Sequence, residues 1–207
     1  MISYEEKYFD SIKQGLEETR YTIGGENTDK TNFFNQLLER THVAKQKNGR
    51  IFFIGNGASA AFSNHMALDW SKNGGVLAKS LSDSALLTAL SNDYSYDKAF
   101  VEYLKIEKIN SDDLVATISS SGNSSNIISV LNYCKENNIP TLGLSGLKEN
   151  NKSADIADFS LYVPRKTYGL VECIHQIFLH LWLDKYMNIE DWARDSYQNM
   201  DASNFKL

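Results

Sequence analysis

Arg50-Ile51-Phe52-Phe53-Ile54-Gly55-Asn56-Gly57-Ala58-Ser59 is the stretch that decides the fold. Its first half is apolar throughout, too short for a core helix and stopped by glycine, so it reads as a strand buried on both faces. A helical pattern follows at about 59–72. Moving toward the C-terminus, the alternation continues. Short apolar strands are predicted at about 76–81, 113–119, 140–144 and 159–163, with helices at about 83–91, 95–107, 124–137 and 152–157 between them. Fully apolar strands separated by helices predict a five-stranded parallel α/β sheet covered on both faces.

Toward the N-terminus the periodicity is helical from about 4 to 21, with Tyr8, Ile12 and Leu16 on one face, and Gly24-Gly25-Glu26-Asn27 breaks it. A second helix at about 31–47 carries Phe33, Phe34, Leu37, Leu38 and Ala44, and Gly49 supplies its stop. Extra N-terminal helices, about 4–48, therefore precede a sheet core at about 50–187. The last helix, about 169–187, is apolar on most sides, which suits a deep core or a subunit interface. A polar tail, 191–207, ends the sequence. With no linker composition and no repeat, the expectation is one domain over 1–207.

Net charge is −5, from 21 lysines and arginines against 26 acids, and the cations are scattered. A surface for nucleic acid or anionic membrane would show a basic stripe, so neither partner is expected. No apolar run approaches the roughly 20 residues of a membrane span. The start, MISYEEKYFD, lacks a secretory pattern. A cytoplasmic location follows as the expectation. Cys134 and Cys173 lie in helical patterns without CxxC spacing and read as two reduced core thiols.

Open α/β sheets bind ligands beyond the carboxyl ends of their strands, so two loops stand out. One is Gly55-Asn56-Gly57-Ala58-Ser59; the other is Ser119-Ser120-Ser121-Gly122-Asn123-Ser124. Each opens a helix, where outward N–H groups and the helix dipole favour an anion, and serine hydroxyls add donors. The same residues are also good N-caps and turn formers, so one such loop alone reads more readily as structure than as a site. Two at equivalent places in one sheet raise the anion reading. Neither loop matches GxGxxG or GxxxxGK[ST], so no nucleotide cofactor is expected.

The segments GNGASAAFSNH (55–65), LSND (90–93), ATISSSGNSSNI (116–127) and ECIHQIFLH (172–180) resemble, in order and spacing, the sugar isomerase (SIS) family, in the branch containing phosphoheptose isomerase. The resemblance covers about residues 30–187. It implies that Asn56, Gly57 and Ser59 line a sugar-phosphate site, with Asn92 and Asp93 near the sugar and Ser119, Ser120, Ser121 and Ser124 on the phosphate. It also implies a homotetramer with active sites between subunits, and some members of the family bind zinc.

His65 and Asp69 are four apart on one helix face, and Glu172, Gln176 and His180 form a polar stripe on the last helix. Where the family commonly has His, Glu, Gln and His, this sequence has His65, Asp69, Glu172 and His180. Two histidines and two carboxylates suit zinc or another divalent metal. Residues 172 and 180 are about 12 Å apart along an ideal helix, however, and Glu172 would have to lean against the usual tilt. Gly169 stands where the family often has an acid, and WSKNGG (70–75) lacks an arginine seen in well-known members, although Lys72 is near. His175 lies off the stripe and reads as structural.

The resemblance implies an aldose–ketose isomerase converting sedoheptulose 7-phosphate to D-glycero-D-manno-heptose 7-phosphate through an enediol, with Asp69 and His180 as acid–base pair and Glu172 beside the substrate. Two alternatives are a non-catalytic SIS adaptor, like the protein that binds the bacterial replication initiator, and a sugar-phosphate sensor. The adaptor shares the GNGxSAA turn (55–61) but tends to lack the carboxylate that Asp69 supplies. No helix-turn-helix accompanies the domain to make it a DNA-bound sensor.

Overall fold

A computed structural model describes residues 2–190 of the chain; the tail expected at 191–207 lies outside the described residues. The five expected strands are present as β3 (Ile51–Gly55), β4 (Ala78–Ser80), β5 (Leu114–Ile118), β6 (Thr141–Gly146) and β7 (Phe159–Val163), all parallel. Strands β3, β5, β6 and β7 are buried at every residue. Successive side chains go to opposite faces: Ile51, Phe53, Leu114 and Ala116 join one core, while Phe52, Ile54 and Val115 join the other. Helices α1 (Tyr4–Glu18), α2 (Lys30–Gln46), α3 (Ala58–Asp69) and α8 (Tyr168–Met187) cover the first face; α5 (Tyr96–Ile106) and α6 (Ser125–Glu136) cover the second. Two shorter helices, α4 (Ser84–Asp93) and α7 (Lys152–Ile156), complete the connections.

The sheet is larger than expected. The predicted first helix stops at Glu18, and Arg20–Ile23 (β1) and Glu26–Thr28 (β2) form an antiparallel hairpin that adds to β7, giving seven strands in the order β2-β1-β7-β6-β5-β3-β4. The cause is local and tertiary at once. Gly24 and Gly25, at φ 58° and 85°, form a two-residue turn whose twist matches paired strands. Tyr21, instead of continuing a helix stripe, sits buried against Phe33, Phe34 and Phe178. The helix expected to reach Lys72 also changes character, because Trp70–Gly74 is a π-helical turn. That turn directs Trp70 into the core, against Trp182 and Tyr186.

At the amino ends of β3 and β5, Asp113, 1% exposed, accepts from the backbone N–H and guanidinium of Arg50, and Arg50 also pairs with Glu107. These bonds fix the end of the sheet remote from the loops. Cys134 is buried, and burial pushes its thiol up to about 12. Cys173 is exposed, which corrects its reading as a core thiol: it falls on the face of α8 away from the sheet.

His175 is structural, as its position off the polar stripe suggests. It is fully buried, and its Nε2 donates to the Ser145 carbonyl at 3.0 Å. Burial pushes its pKa down to about 4, against a smaller upward pull from that hydrogen bond. Unfolded, the ring takes a proton near pH 6.5. Stabilisation by the neutral ring is therefore complete above that pH and is lost as pH falls toward 4. Between pH 7 and 5 the loss should be about 2 kcal/mol. In urea unfolding at both pH values, His175→Asn should lack this part of the acid sensitivity; equal losses in the two proteins would refute the assignment.

Candidate active site

β3 and β5 are neighbours, with Gly55 opposite Ile118, yet the chain leaves β3 toward β4 on one side and comes back to β5 on the other. Helix α3 then packs on one face of the sheet and α6 on the other. Their first turns diverge and leave a crevice at the point where strand order reverses. Both singled-out loops border it.

Capping separates these two helices from most of the others. Ser3, Asp29, Asp83, Asn151 and Thr167 each cap their helices, α1, α2, α4, α7 and α8, by accepting from a first-turn N–H. Gly57 and Ser124, the N-cap residues of α3 and α6, make no side-chain cap. The capping role open to serine and asparagine is thus not taken up at either N-cap, and among the described residues neither N-cap side chain accepts from its helix's first turn. Ser119 and Ser120 are buried at the end of β5, and the Ser119 and Ser124 hydroxyls lie 3.5 Å apart. Ser120 Oγ is buried without a partner among the described residues. Ser121 Oγ accepts from the Asn123 N–H at 3.2 Å. Gly122 has φ +61°, and a Cβ there would stand 2.0 Å from Asn151 Oδ1, the oxygen that caps α7.

Across the crevice, the amides of Asn56 and Asn126 pair reciprocally, each donating to the other's oxygen at 3.0 Å. Tyr96, at the start of α5, donates its hydroxyl to Asn56 Oδ1 at 2.7 Å, and Ser125 donates to Asp97. Ser59 is buried, and its N–H donates to the Asn56 carbonyl. The sequence reading missed Asn126, Tyr96 and Asp97. Asn126 stood inside a quoted motif and could have been weighed there; the other two come from a different helix with no local signal. Asn92 and Asp93 are exposed at the end of α4, and their side chains bond each other at 3.1 Å; among the described residues neither reaches the two loops.

Further down α3 a second group assembles. His65 Nε2 and Asp69 Oδ2 lie 3.2 Å apart, and the His65 and His180 rings meet edge to face with centroids 5.2 Å apart. One donor atom from each of His65, Asp69 and His180 falls within 4.8 Å of the others. Two imidazoles and a carboxylate at this spacing fit a divalent metal. The Gln176 carboxamide approaches His180 Nε2 at 2.7 Å and so orients the ring. Glu172, expected as a fourth ligand, lies outside the group. It is two turns from His180, and helical side chains tilt toward the N-terminus, which carries Glu172 away. A groove of about 860 Å³ along α8, lined by Phe62, Gln176, Ile177, His180 and Leu181 among others, opens beside the cluster.

A parallel sheet with two uncapped, hydroxyl- and amide-bearing turns at its switch point, and a histidine–carboxylate cluster on the helix leaving one of them, is the architecture of a sugar-phosphate isomerase domain. The chain belongs to the SIS-domain family, whose model matches residues 7–146. Its relatives lie in the phosphoheptose isomerase branch. It is 34% identical to the phosphoheptose isomerase of Aneurinibacillus thermoaerophilus over 70% of this chain and 76% of that one. It is 28% identical to that of Helicobacter pylori strain Shi470 over 86% and 91%. The solved phosphoheptose isomerase of Neisseria gonorrhoeae shares the fold with a TM-score of 0.76, at 24% identity, over 88% of this chain and 95% of that one. No helix among the described residues is long and apolar enough to cross a membrane.

Replacing a capping serine by alanine normally costs about 1 kcal/mol. Ser124→Ala should cost under about 0.5 kcal/mol in urea unfolding, because no cap is lost. Gly122→Ala should cost about 2 kcal/mol or more, since it strains a left-handed residue and displaces the cap of α7. The reverse ranking would contradict the capping analysis.

Proposed function

We propose that this protein is an aldose–ketose isomerase converting sedoheptulose 7-phosphate to D-glycero-D-manno-heptose 7-phosphate. The carrying observation is that Asp69 and two imidazoles converge on the helix that begins at the crevice. In this reading the phosphate sits against Ser119, Ser120, Ser121 and Ser124 and the open first turn of α6. Asn56, Gly57 and Ser59 line the sugar, and the amide pair with Asn126 holds Asn56 in place. Asn92 and Asp93, exposed at the rim, would meet the sugar only when substrate is bound.

From Ser59 to His65 the rise along α3 is about 9 Å. An extended seven-carbon chain anchored by its phosphate spans a gap of that order and brings its carbonyl end to Asp69. The reaction moves one proton between C1 and C2 through an enediol, and carbonyl and hydroxyl exchange places. Asp69 Oδ2 is engaged by His65, which leaves Oδ1 as the atom that takes and returns the carbon-bound proton. His180, oriented by Gln176, serves the two oxygens as they gain and lose protons. A divalent ion such as zinc, held by His65, Asp69 and His180, would polarise the carbonyl and stabilise negative charge on oxygen. Glu172 then remains available to hydrogen-bond the sugar.

The same reading makes the enzyme a cytoplasmic homotetramer with active sites between subunits. Exposed Tyr4 and Phe9 on α1, and Tyr168, Ile177 and Leu181 on α8, support an oligomeric surface. The carboxylate of Asp69 favours catalysis over the adaptor role.

Asp69→Asn and His180→Ala should each lower turnover of sedoheptulose 7-phosphate, followed by NMR, by at least about a hundredfold. Both should keep the thermal stabilisation that sugar phosphate confers, because the serine turn is untouched. Normal turnover in either variant, or no conversion of any seven-carbon sugar phosphate by the wild type, would overturn the reading.

A further inference from the structure

We infer that Tyr96, from the first turn of α5, is a positioning residue for the sugar: its hydroxyl holds the Asn56 carboxamide in the orientation that leaves one N–H free for the substrate. The inference rests on reading the crevice as a sugar-phosphate site, and it brings in a helix to which neither of the two loops belongs.

Tyr96 is half-exposed, yet its ring and its hydroxyl are both engaged. The ring meets Phe100, one turn on, with centroids 6.1 Å apart, and Phe100 is buried in the second core. The hydroxyl donates to Asn56 Oδ1 at 2.7 Å. Beside it, Asp97 accepts from the Ser125 hydroxyl in the first turn of α6. Ser95, the N-cap of α5, makes no side-chain cap among the described residues, so bonds to the two loops hold the start of α5 in place of a cap. Asn92 and Asp93 end α4 just ahead of Tyr96, so the same bonds anchor the rim that carries them.

A carboxamide offers two acceptor lone pairs and two N–H groups. Asn56 Oδ1 takes one bond from Asn126 and one from Tyr96, which fills both lone pairs. Asn56 Nδ2 gives one N–H to Asn126 Oδ1 and keeps one. In a reciprocal amide pair the outer lone pair and the free N–H lie on opposite edges of the group, so Tyr96 grips one edge and the free N–H leaves from the other. The pair alone does not fix this choice, because turning both amides over restores the same two bonds. The phenol breaks the tie. Its oxygen lone pairs are partly drawn into the ring, so it donates better than it accepts, and Asn56 is left presenting a donor to a sugar oxygen. Without that anchor the amide would have to be ordered when substrate binds, at a cost in affinity. Asp69 lies about three turns further along α3, so the contact is the same before and during the chemical step and acts on binding.

The test is calorimetric titration of the purified protein with sedoheptulose 7-phosphate and with inorganic phosphate, beside steady-state turnover. Tyr96→Phe removes one oxygen atom and keeps the ring on Phe100. It should weaken sugar-phosphate binding about five- to tenfold, as loss of one hydrogen bond does, and leave the affinity for inorganic phosphate within about twofold. In turnover, KM should rise by a similar factor while kcat stays within about twofold. In an Asn56→Ala background, Tyr96→Phe should cost no further affinity, because the hydroxyl acts through Asn56. Three results would each overturn the inference: unchanged sugar-phosphate affinity in Tyr96→Phe, equal weakening for both ligands, or full additivity of the two substitutions. Any of these strikes the role of Tyr96 alone. A wild type that does not bind sedoheptulose 7-phosphate would instead sink the substrate reading, and the inference with it.

Discussion

Two parallel neighbours, β3 and β5, end side by side and send their helices to opposite faces of the sheet, and everything at the site follows from that parting. The divergence leaves backbone N–H groups around a crevice that no strand or helix fills. The reciprocal amide pair of Asn56 and Asn126 bridges the gap at one level, so the two loops hold a fixed separation. Tyr96 ties that bridge to α5. The bonds that fix Arg50 to Asp113 and Glu107 at the far end of the same strands act as the counterpart, leaving little freedom for β3 and β5 to slide. Pre-organisation of this kind matters for a site built largely from dipoles, whose interactions weaken quickly with distance and misalignment.

The strand-rich middle of the sequence was legible because its signals are local. Ile51–Ile54 is an apolar run and Leu114–Ile118 is apolar but for Thr117, stopped by glycine and serine respectively, and each strand is buried on both sides as such runs require. The hairpin was not legible in the same way. Arg20–Ile23 continues a helix-compatible pattern, and only the burial of Tyr21 among Phe33, Phe34 and Phe178 reveals why extension wins. Propensity yielded there to a tertiary contact, helped by a turn that two glycines make easy. Cys173 failed for a related reason: on a helix apolar nearly all round, composition does not tell which side meets the sheet.

At the site, spacing found His65, Asp69 and His180 because i, i+4 periodicity fixes a face and the two helices cross there. Glu172 stands apart from that cluster because residue type says nothing of axial position. An acid is a familiar metal ligand, but Glu172 lies two helical turns from His180 and its tilt carries it further away. Gln176 drew less attention as a neutral residue, yet it lies one turn from His180 and touches it. Tyr96 and Asp97 come from an element whose position relative to the loops no local pattern encodes.

The added hairpin has an effect on how the sheet meets its surroundings. Without it, β7 would offer an unpaired row of amides and carbonyls, on a largely apolar strand, to any passing strand. With it, that boundary moves outward to β2, a strand of three residues whose Glu26 and Asn27 are exposed. A charged, polar terminus this short is a poor template for edge-to-edge growth. A hairpin that seems peripheral to the chemistry thus gives a greasy five-stranded slab a guarded margin.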